Sequence, residues 1–456
     1  MKKILVLRGK RISSVGFFGL GKSSLAILDY LSENYEGLRF ILRSDKKVAA
    51  DSRFSAFFFG DGARKNITED VCFLSPSVRR DTPEFQTAKN MGVILSSDVE
   101  FFFENKKIPV FSVTGSDGKS TTASLLSAML SSDTASFPAS ANIGLPMTSL
   151  LNDEKTLGTV AELSSFQLMN FAPKSDRALI TNISENHLDW HTSFEEYVNA
   201  KENVLRFAEK RVFNLDCPYN LRLLEKYPAF AVFSRSLSYN EMQSTVTANH
   251  YFSIEDGYVS VSGKPIFKAD EIRLKGKHNL SNLLAAMALS AELVSRDKIL
   301  QTAKTFEGLT HRSRLVGIYD GISFLDSSID STPTRTKTTL DSINSKTVLI
   351  LGGKSKNLSY SPLFPLKENI KAIILTGENR GEIMRALLSY FEASGKNIKL
   401  SSAEKFSDAV LLAIKAASRG DTVLLSPAST SFDAFSDYKE RGNAFSSIIK
   451  KYYADK

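Results

Sequence analysis

The sequence predicts an α/β protein built from mostly parallel sheets covered by helices. Short apolar segments alternate with segments of helical periodicity along most of the 456 residues, and glycine-rich turns join several of them. At roughly 150 residues per domain, this length corresponds to about three domains. Polar joints near residues 104–107 and 308–310 place the expected domains at residues 1–107, 108–310 and 311–456.

The expected strands are short and rich in Val, Ile and Leu, and the expected helices lie between them. Strands are predicted at residues 3–7, 40–42, 71–74, 110–113, 159–163, 178–181, 348–351, 372–375 and 422–425. Helices are predicted at residues 22–33, 121–131, 281–295 and 406–417. Residues 211–275 have weak periodicity and are expected to form an irregular, β-rich insertion.

Composition and charge restrict the class of protein. With 42% hydrophobic and 24% charged residues, the chain has the ordinary composition of a soluble protein. We expect it to be cytoplasmic and not bound to a membrane, because no apolar run approaches the roughly 18 residues of a membrane span and Arg8, Lys10 and Arg11 interrupt the first apolar run. Cys72 and Cys217 are too few for a disulfide framework. The net charge of +8 suits phosphate-bearing small substrates as well as nucleic acid, and does not decide between them.

Two glycine-rich turns end in Gly-Lys-Ser. The run Gly16-Phe17-Phe18-Gly19-Leu20-Gly21-Lys22-Ser23 fits the phosphate-loop spelling G-x-x-x-x-G-K-[ST], whereas Gly115-Ser116-Asp117-Gly118-Lys119-Ser120-Thr121 does not. The second turn nevertheless follows a clean apolar strand and opens a strong helix, so its N–H groups can converge on phosphate. It is therefore the expected ATP site, with Lys119 on the β- and γ-phosphates and Ser120 or Thr121 on Mg²⁺. The alternative is a merely structural turn.

The first turn is a weaker candidate. Its core, Gly19-Leu20-Gly21, is similar to a mononucleotide turn, but Ser24 replaces the third glycine of the dinucleotide fingerprint. We expect it to bind a second nucleotide-like group, and a tight strand–helix turn is the alternative.

Three further polar segments follow apolar strands or lie on helices. Glu162 ends a strand, where a carboxylate could hold Mg²⁺ beside Ser120. Residues 181–191 form a polar cluster after another strand, and Lys201 lies on a predicted helix. Taken singly, Glu162 would be an edge-of-sheet carboxylate and Lys201 a solvated helix lysine.

Together these segments resemble the Mur ligase family of ATP-dependent, amide-forming enzymes of peptidoglycan synthesis. Matching segments extend over nearly the whole chain and include residues 142–146, residues 275–279 with Asn282, and His311-Arg312. Residues 162–168 and 425–433 look most like the member that adds D-glutamate to UDP-N-acetylmuramoyl-L-alanine.

The resemblance implies a fold and a reaction. It implies an N-terminal Rossmann-like domain for the UDP substrate, a central P-loop ATPase-like domain and a C-terminal Rossmann-like domain for the amino acid. ATP would phosphorylate the substrate carboxylate, and the amine of D-glutamate would attack the acyl phosphate. Because phosphoryl transfer depends on positioning and charge neutralisation, no Ser–His–Asp set is expected. The protein would act as a monomer with two Mg²⁺ ions and without nucleic acid.

The resemblance also assigns roles to individual residues. Lys119, His187 and Lys201 are the expected catalytic residues, and Lys201 would be carbamylated, because an ordinary ammonium would repel a dication. The expected metal ligands are Ser120, Glu162, His187 and Lys201. The ATP contacts are Gly115, Ser116, Asp117, Gly118, Lys119, Ser120, Thr121, Asn279, Asn282, Arg312 and Asp326. The UDP-substrate contacts are Lys22, Ser23, Arg43, Ser44, Ser77 and Asn142, and the D-glutamate contacts are Lys356, Ser431 and Tyr438.

One segment departs from the family pattern. Where the family has Asn-Asp-Ser-Lys-Ala-Thr, this chain has residues 326–333, and a gapless alignment places Ser327 at the nucleotide-contacting Asp and Ile329 at the Lys. A one-residue shift would let Asp326 supply the carboxylate. Two competing functions remain at this point: a ligase similar to folylpolyglutamate synthase, and a non-catalytic nucleotide-binding protein.

Overall fold

The structure is a computed structural model that describes residues 2–48, 51–185, 190–274, 276–355 and 358–455. The chain divides into two compact units, Met1–Phe306 and Glu307–Lys456. Three main sheets lie along the sequence, two in the first unit and one in the second. The predicted α/β class with mostly parallel strands is confirmed, whereas the domain boundaries at 107 and 310 stay a prediction.

The N-terminal sheet has five parallel strands in a doubly wound order. Numbered along the chain, they lie in the order 3-2-1-4-5 across the sheet: Phe54–Phe59, Arg39–Ser44, Ser14–Phe18, Val71–Leu74 and Ile94–Ser96. The accompanying helices are Lys22–Asn34, Pro83–Asn90 and Asp98–Asn105, with a 3₁₀ turn at Gly60–Gly62. In a sheet of this kind, ligands bind at the point where the strand order reverses, beside the first strand.

The first strand of this sheet is not the predicted one. Val6–Leu7 pairs antiparallel with Lys10–Arg11 in a short hairpin, and the sheet begins at Ser14–Phe18. Arg8 (φ +49°) and Gly9 (φ +80°) both have left-handed backbone, which turns the chain back after two residues. The prediction of a sheet strand at residues 3–7 is therefore wrong.

The central sheet has nine strands, of which seven are parallel. Their order is Lys264–Lys268, Tyr258–Val261, His250–Glu255, Ala231–Ser234, Lys210–Asn214, Arg177–Ile180, Val110–Thr114, Thr159–Glu162 and Ala139–Ala141, and the first two pair antiparallel. The helices are Lys119–Leu130, Ser165–Leu168, Phe194–Arg206, Pro218–Leu223, Tyr239–Thr245, Lys277–Ser290 and Arg296–Thr305, with 3₁₀ turns at Met147–Leu150 and Ala269–Glu271. Within the predicted irregular insertion 211–275, the described residues 211–274 are more regular than expected, because their strands continue this sheet.

Two apolar layers cover the faces of the central sheet. One layer packs helices Lys119–Leu130 and Lys277–Ser290 against the strands, and the other packs helix Phe194–Arg206 against the opposite face. Strand Val110–Thr114 lies between the layers and is buried throughout. Its carboxyl end therefore opens between helices that come from both sides of the sheet.

The second unit has one six-stranded sheet. Its order is Arg314–Tyr319, Ile322–Asp326, Thr422–Leu425, Thr347–Gly352, Ile370–Thr376 and Lys399–Ser402, and only the first pair is antiparallel. The helices are Pro333–Asp341, Arg380–Ser394, Phe406–Ala416 and Tyr438–Ala454, with a 3₁₀ turn at Ser361–Leu363. Among the described residues of both units, none of the helices is long and apolar enough to span a membrane.

Candidate nucleotide and metal site

The second glycine turn has the strand–turn–helix form that its context predicts. Strand Val110–Thr114 ends at Gly115, and helix Lys119–Leu130 begins directly after Gly118. Gly115 (φ +146°) and Gly118 (φ +78°) adopt backbone conformations that favour glycine, and a Cβ on either would clash with a neighbouring side chain. The turn thus leads directly from the end of the strand to the first N–H groups of the helix, which is the arrangement that phosphate binding uses.

The neighbouring strand holds this turn in place. Thr181 Oγ1 donates to the carbonyl of Asp117 at 2.6 Å, and Asn182 Oδ1 accepts from the Asp117 N–H at 2.9 Å. Ser116 Oγ donates to the carbonyl of Ser184 at 2.9 Å and accepts from its N–H at 2.9 Å. The polar cluster after strand Arg177–Ile180 therefore serves first to fix the glycine turn.

Two lysines converge on one carbonyl of the turn. Lys119 Nζ donates to Gly115 O at 2.8 Å and to Ser116 O at 2.7 Å, and Lys201 Nζ donates to the same Gly115 O at 2.7 Å. Lys201 comes from helix Phe194–Arg206 on the other face of the sheet. The sequence-predicted pair Lys119 and Lys201 is thus brought together at the turn.

Lys201 is a buried lysine without a carboxylate bonded to it in the described structure. Its side chain is only 2% exposed, and its ammonium lies 4.7 Å from the ring centre of Tyr197. Burial, followed by the positive charge of Lys119, lowers the pKa of Lys201 well below its ordinary value, and the charges of Glu162 and Asp117 only partly oppose this. Burial thus makes the neutral amine, the form that reacts with CO₂, easier to reach than in an ordinary lysine.

Glu162 presents an oxygen suited to a cation. It ends strand Thr159–Glu162 next to Val113 in the adjacent strand, and it is buried. Asn142 Nδ2 donates to Oε1 at 2.6 Å, but Oε2 has no hydrogen-bond partner among the described residues. A buried, unpaired carboxylate oxygen is unfavourable unless a cation satisfies it, so Glu162 fits the magnesium ligand that the family implies.

Of the two remaining predicted metal ligands, Ser120 and His187, the structure describes only Ser120. Ser120 follows Lys119 in the first turn of its helix, with a hydroxyl of the type that Mg²⁺ accepts. His187 lies outside the described residues. Within the described ranges, no group of three or more His, Cys, Asp or Glu side chains could hold a metal.

Helix Lys277–Ser290 brings the predicted ATP contacts Asn279 and Asn282 to the turn. Asn282 is buried directly beside Gly118, and its Oδ1 accepts from Thr122 Oγ1 at 3.4 Å. Its Nδ2 donates to Asn279 Oδ1 at 3.3 Å. Both asparagines thus lie within one helical turn of the candidate ATP site.

Sequence reasoning missed Tyr197. Its hydroxyl is 2.7 Å from Ser116 Oγ, and it lies one helical turn before Lys201 on the same face. The i, i+4 spacing to Lys201 was the signal that could have identified it. Helix Phe194–Arg206 therefore contacts the glycine turn through two side chains.

The first glycine turn is shorter than its spelling suggests. Gly16 lies inside strand Ser14–Phe18, so that only Gly19–Gly21 form the turn before helix Lys22–Asn34 begins. Lys22 is exposed, and the Ser23 side chain lies close to the buried Asp98. Asp98 accepts from the N–H groups of Met147 at 3.0 Å and Thr148 at 2.9 Å, which joins helix Asp98–Asn105 to the 3₁₀ turn Met147–Leu150.

Arg43 has a structural position instead of the predicted one. Its guanidinium is buried, donates to Glu69 Oε1 at 2.7 Å and to the carbonyls of Ala63, Lys65 and Asn66 at 2.9–3.0 Å. These bonds use four of its five N–H donors. Arg43 is therefore not placed to contact a diphosphate. The other expected contacts, Ser44, Ser77 and Asn142, lie at or after strand ends of the first unit.

Asp326 is also committed to an internal contact. One carboxylate oxygen is 2.6 Å from His311 Nδ1, and the other accepts from the Ser328 N–H at 2.9 Å, with both His311 and Asp326 buried. Ser327, the residue at the gapless position, is buried as well. A contact between Asp326 and the nucleotide, as in the shifted register, stays a prediction, and it would require the carboxylate to exchange or share one of these partners.

Two of the three predicted D-glutamate contacts, Ser431 and Tyr438, are in the part of the second unit that the structure describes. Ser431 is buried, and Tyr438 is the first residue of helix Tyr438–Ala454. Thr430, next to Ser431, pairs with Lys354 through backbone hydrogen bonds of 2.9 and 3.2 Å. Lys356 lies outside the described residues, and Arg312 is exposed at the surface of this unit.

A cavity of about 350 Å³ opens in the second unit, beyond the carboxyl ends of the parallel strands. Gly353, Gly377, Arg380, Asp433 and Arg441 are among its lining residues. Open α/β sheets bind ligands at this edge, so the cavity is a candidate ligand site of the second unit.

Comparisons with known proteins identify the family to which the chain belongs. The family described as "Mur ligase middle domain" matches residues 113–290, and "Mur ligase, glutamate ligase domain" matches residues 311–429. The UDP-N-acetylmuramoylalanine–D-glutamate ligase of Acetivibrio thermocellus is 36% identical over 455 residues, covering 96% of this chain and 97% of that protein. The ligase of the same name from Clostridium tetani is 33% identical over 453 residues, covering 96% of both chains.

Solved structures show the same fold at lower identity. UDP-N-acetylmuramate-alanine ligase from Thermotoga maritima has a TM-score of 0.58 at 19% identity and covers 97% of this chain and 100% of its own. A pseudomurein peptide ligase type C from Methanothermus fervidus has a TM-score of 0.54 at 17% identity, covering 96% of this chain and 100% of its own.

Proposed function

Because the chain belongs to the Mur ligase family, we propose that it joins D-glutamate to the L-alanyl carboxylate of UDP-N-acetylmuramoyl-L-alanine, with cleavage of ATP to ADP and phosphate. The observation that carries the proposal is the pair of lysines on Gly115 O beside the buried, half-satisfied Glu162. This arrangement suits phosphoryl transfer, which needs cations and positioning instead of a protein nucleophile. The names of the relatives favour this acceptor over a folate.

The reaction follows from the chemistry of the two substrates. The alanyl carboxylate attacks the γ-phosphorus of ATP and releases ADP, and the amine of D-glutamate then attacks the acyl phosphate. Collapse of the tetrahedral intermediate forms the amide and releases phosphate, while the amine proton passes to a base or to solvent. Lys119 would exchange its carbonyl partners for the β- and γ-phosphates, which the N-terminus of helix Lys119–Leu130 also attracts.

The metal ligands would come from both faces of the sheet. We assign one Mg²⁺ to Ser120 and Glu162, and a second to His187 and carbamylated Lys201. Bound Mg²⁺ would neutralise the charge that develops on the transferring phosphoryl group. The neutral amine of Lys201 would form a bond to the carbon of CO₂ and lose a proton, which turns a cation into an anionic ligand.

The substrate ends would be held by the outer parts of the chain. Lys22, Ser23, Ser44, Ser77 and Asn142 are the proposed UDP-substrate contacts, Asn279, Asn282 and Arg312 the further ATP contacts, and Lys356, Ser431 and Tyr438 the D-glutamate contacts. We propose that the protein works as a monomer in the cytoplasm.

Ligation by the purified protein tests the proposal directly. ATP, Mg²⁺ and UDP-N-acetylmuramoyl-L-alanine are supplied with D- or L-glutamate in parallel, and phosphate release and product mass are measured. We expect phosphate and ligated product with D-glutamate only. Phosphate release only when a folate replaces the UDP substrate would overturn the proposal.

The two Gly-Lys-Ser lysines provide a matched pair of variants. Lys119→Ala should abolish phosphate release, because it removes the cation at the phosphates. Lys22→Ala should leave kcat largely unchanged and raise KM for the UDP substrate. The reverse pattern would place ATP at the first turn and contradict the assignment.

A further inference from the structure

Arg79 joins two parts of the first unit and has no role in the proposed reaction. It lies between strand Val71–Leu74 and helix Pro83–Asn90. Nη1 donates to Trp190 O at 2.7 Å, and Nε donates to Asp81 Oδ1 at 2.9 Å. The carboxylate of Glu196 accepts from both terminal nitrogens, Oε2 from Nη1 at 3.2 Å and Oε1 from Nη2 at 3.0 Å. The guanidinium also lies 4.9 Å from the ring centre of Trp190. Every nitrogen of this side chain is therefore used within the protein.

Trp190 connects Arg79 to the proposed UDP-substrate loop. Its indole N–H donates to the carbonyl of Ser77 at 3.0 Å, and its ring is 4.5 Å from that of Phe166. Because Arg79 fixes both the ring and the carbonyl of Trp190, it determines where this tryptophan can hold Ser77.

Glu196 connects Arg79 to the helix that carries Lys201. It lies in the first turn of Phe194–Arg206, where its Oε2 accepts from the Thr192 N–H at 2.8 Å. The same oxygen is 3.3 Å from Nδ1 of the buried His191, whose Nε2 is 2.9 Å from Ser165 Oγ. Ser165 follows Glu162 by three residues, so this chain of contacts reaches both sides of the metal site.

We propose that Arg79 is a positioning residue that couples the UDP-substrate loop at Ser77 to the Lys201 helix, so that binding of the sugar nucleotide and the geometry of the metal site depend on each other. The inference rests on the proposed function. Its physical basis is the planar fork of arginine, which can satisfy a carboxylate, a carbonyl and a ring at once, whereas the point charge of lysine cannot.

Arg80 offers a matched control in the same loop. Its side chain is 16% exposed against 20% for Arg79, and it also forms an ion pair, with Glu100. That contact stays within the N-terminal part of the unit and does not reach Trp190 or Glu196. Arg80→Lys should therefore cost stability much as Arg79→Lys does, without uncoupling the loop from the helix.

Calorimetric binding of UDP-N-acetylmuramoyl-L-alanine and steady-state kinetics separate the two variants. We expect Arg79→Lys to weaken binding of this substrate about tenfold and to lower kcat, with KM for D-glutamate within twofold. Arg80→Lys should change each value by less than twofold, although both variants unfold at lower temperature. Glu196→Gln added to Arg79→Lys should cause little further loss. Equal losses in the two lysine variants would overturn the inference, because they would reflect stability alone.

The same measurements distinguish this inference from the proposed function. If the wild-type protein ligates D-glutamate and Arg79→Lys behaves like Arg80→Lys, only the inference fails. If the wild type binds the UDP substrate but releases no phosphate with D-glutamate, the proposed function fails and the binding contrast still decides the role of Arg79. If the wild type does not bind the UDP substrate, both fail.

Discussion

Replacing Lys201 by methionine separates the catalytic use of this lysine from the energetic effect of burying it. Methionine has similar length and no charge, so it fills the same space against Tyr197. Gly115 O keeps its bond from Lys119 at 2.8 Å, and Thr114 Oγ1 keeps its bond to Leu163 O at 2.6 Å. The substitution therefore removes a desolvated amine without leaving a buried acceptor unpaired.

The burial of Lys201 predicts the sign of the change in stability, and comparable replacements of buried charged groups predict its size. Replacing a buried ionic group with an apolar one of similar volume is often neutral or stabilising by about 1–4 kcal/mol. In a unit of this size we expect Lys201→Met to raise the unfolding temperature by roughly 2–6 °C. Because the folded-state pKa of Lys201 is lowered, the unfolded state binds more protons below its ordinary value of 10.5, and the wild-type protein gains stability as pH rises. The advantage of the variant should thus be largest at low pH.

Scanning calorimetry in CO₂-free buffer at pH 6 and pH 9 measures this difference, and ligation in bicarbonate measures the activity. Activity should fall at least a hundredfold and should not respond to bicarbonate. Lys226, which is 60% exposed, provides the control, and Lys226→Met should change neither quantity appreciably. A Lys201→Met protein that unfolds below the wild type at pH 6, or that keeps a tenth of its activity, would refute the reasoning.

Three further substitutions test other parts of the structure. Gly118→Ala should weaken ATP binding at least tenfold by calorimetry, because a Cβ clashes in the turn, whereas Gly381→Ala, with open space around its position, should leave binding unchanged. Gly442→Ala should destabilise the second unit by about 1–3 kcal/mol and lower its unfolding temperature, because the added Cβ overlaps His311. An unchanged unfolding temperature would show that His311 and Asp326 can move aside. Hydrogen bonding to Arg79 lowers the pKa of Glu196 from 4.5 to about 2, so the carboxylate's contribution to stability is lost as the pH falls between those values. Glu196→Gln should flatten this part of the acid-unfolding profile, and an unchanged profile would contradict the assignment.

The candidate ATP turn could be recognised from sequence because its context was informative. Backbone N–H groups can converge on a ligand only if a strand leads into the turn and a helix leads out of it. The apolar run before Gly115 and the helical pattern after Lys119 show both, which the spelling of the motif alone does not. Gly16 illustrates the opposite case, because it satisfies the spelling while lying inside a strand. That strand was missed, since glycine interrupts its apolar pattern and residues 3–7 offer a more continuous one.

Contacts over long sequence separations are what the local sequence pattern could not show. Arg43 lies next to the end of strand Arg39–Ser44, and a loop 20 to 23 residues later folds back and supplies three carbonyls to it. Asp326 likewise ends a strand, and its partner His311 lies 15 residues earlier. Local sequence can place a polar residue at a strand end, but it cannot show whether another part of the chain has already satisfied that residue.

The shared carbonyl of Gly115 has a consequence for how ligands enter. In the free protein this oxygen and that of Ser116 solvate the cation of Lys119, so the side chain is already ordered within reach of the glycine turn. Much of the rotamer entropy that a flexible lysine would otherwise lose on binding, on the order of 2 kcal/mol, is lost during folding. The incoming phosphate therefore meets a lysine whose side chain is already ordered and needs only to exchange its hydrogen-bond partners. This preorganisation lowers the entropic cost of binding and so increases the affinity for the nucleotide.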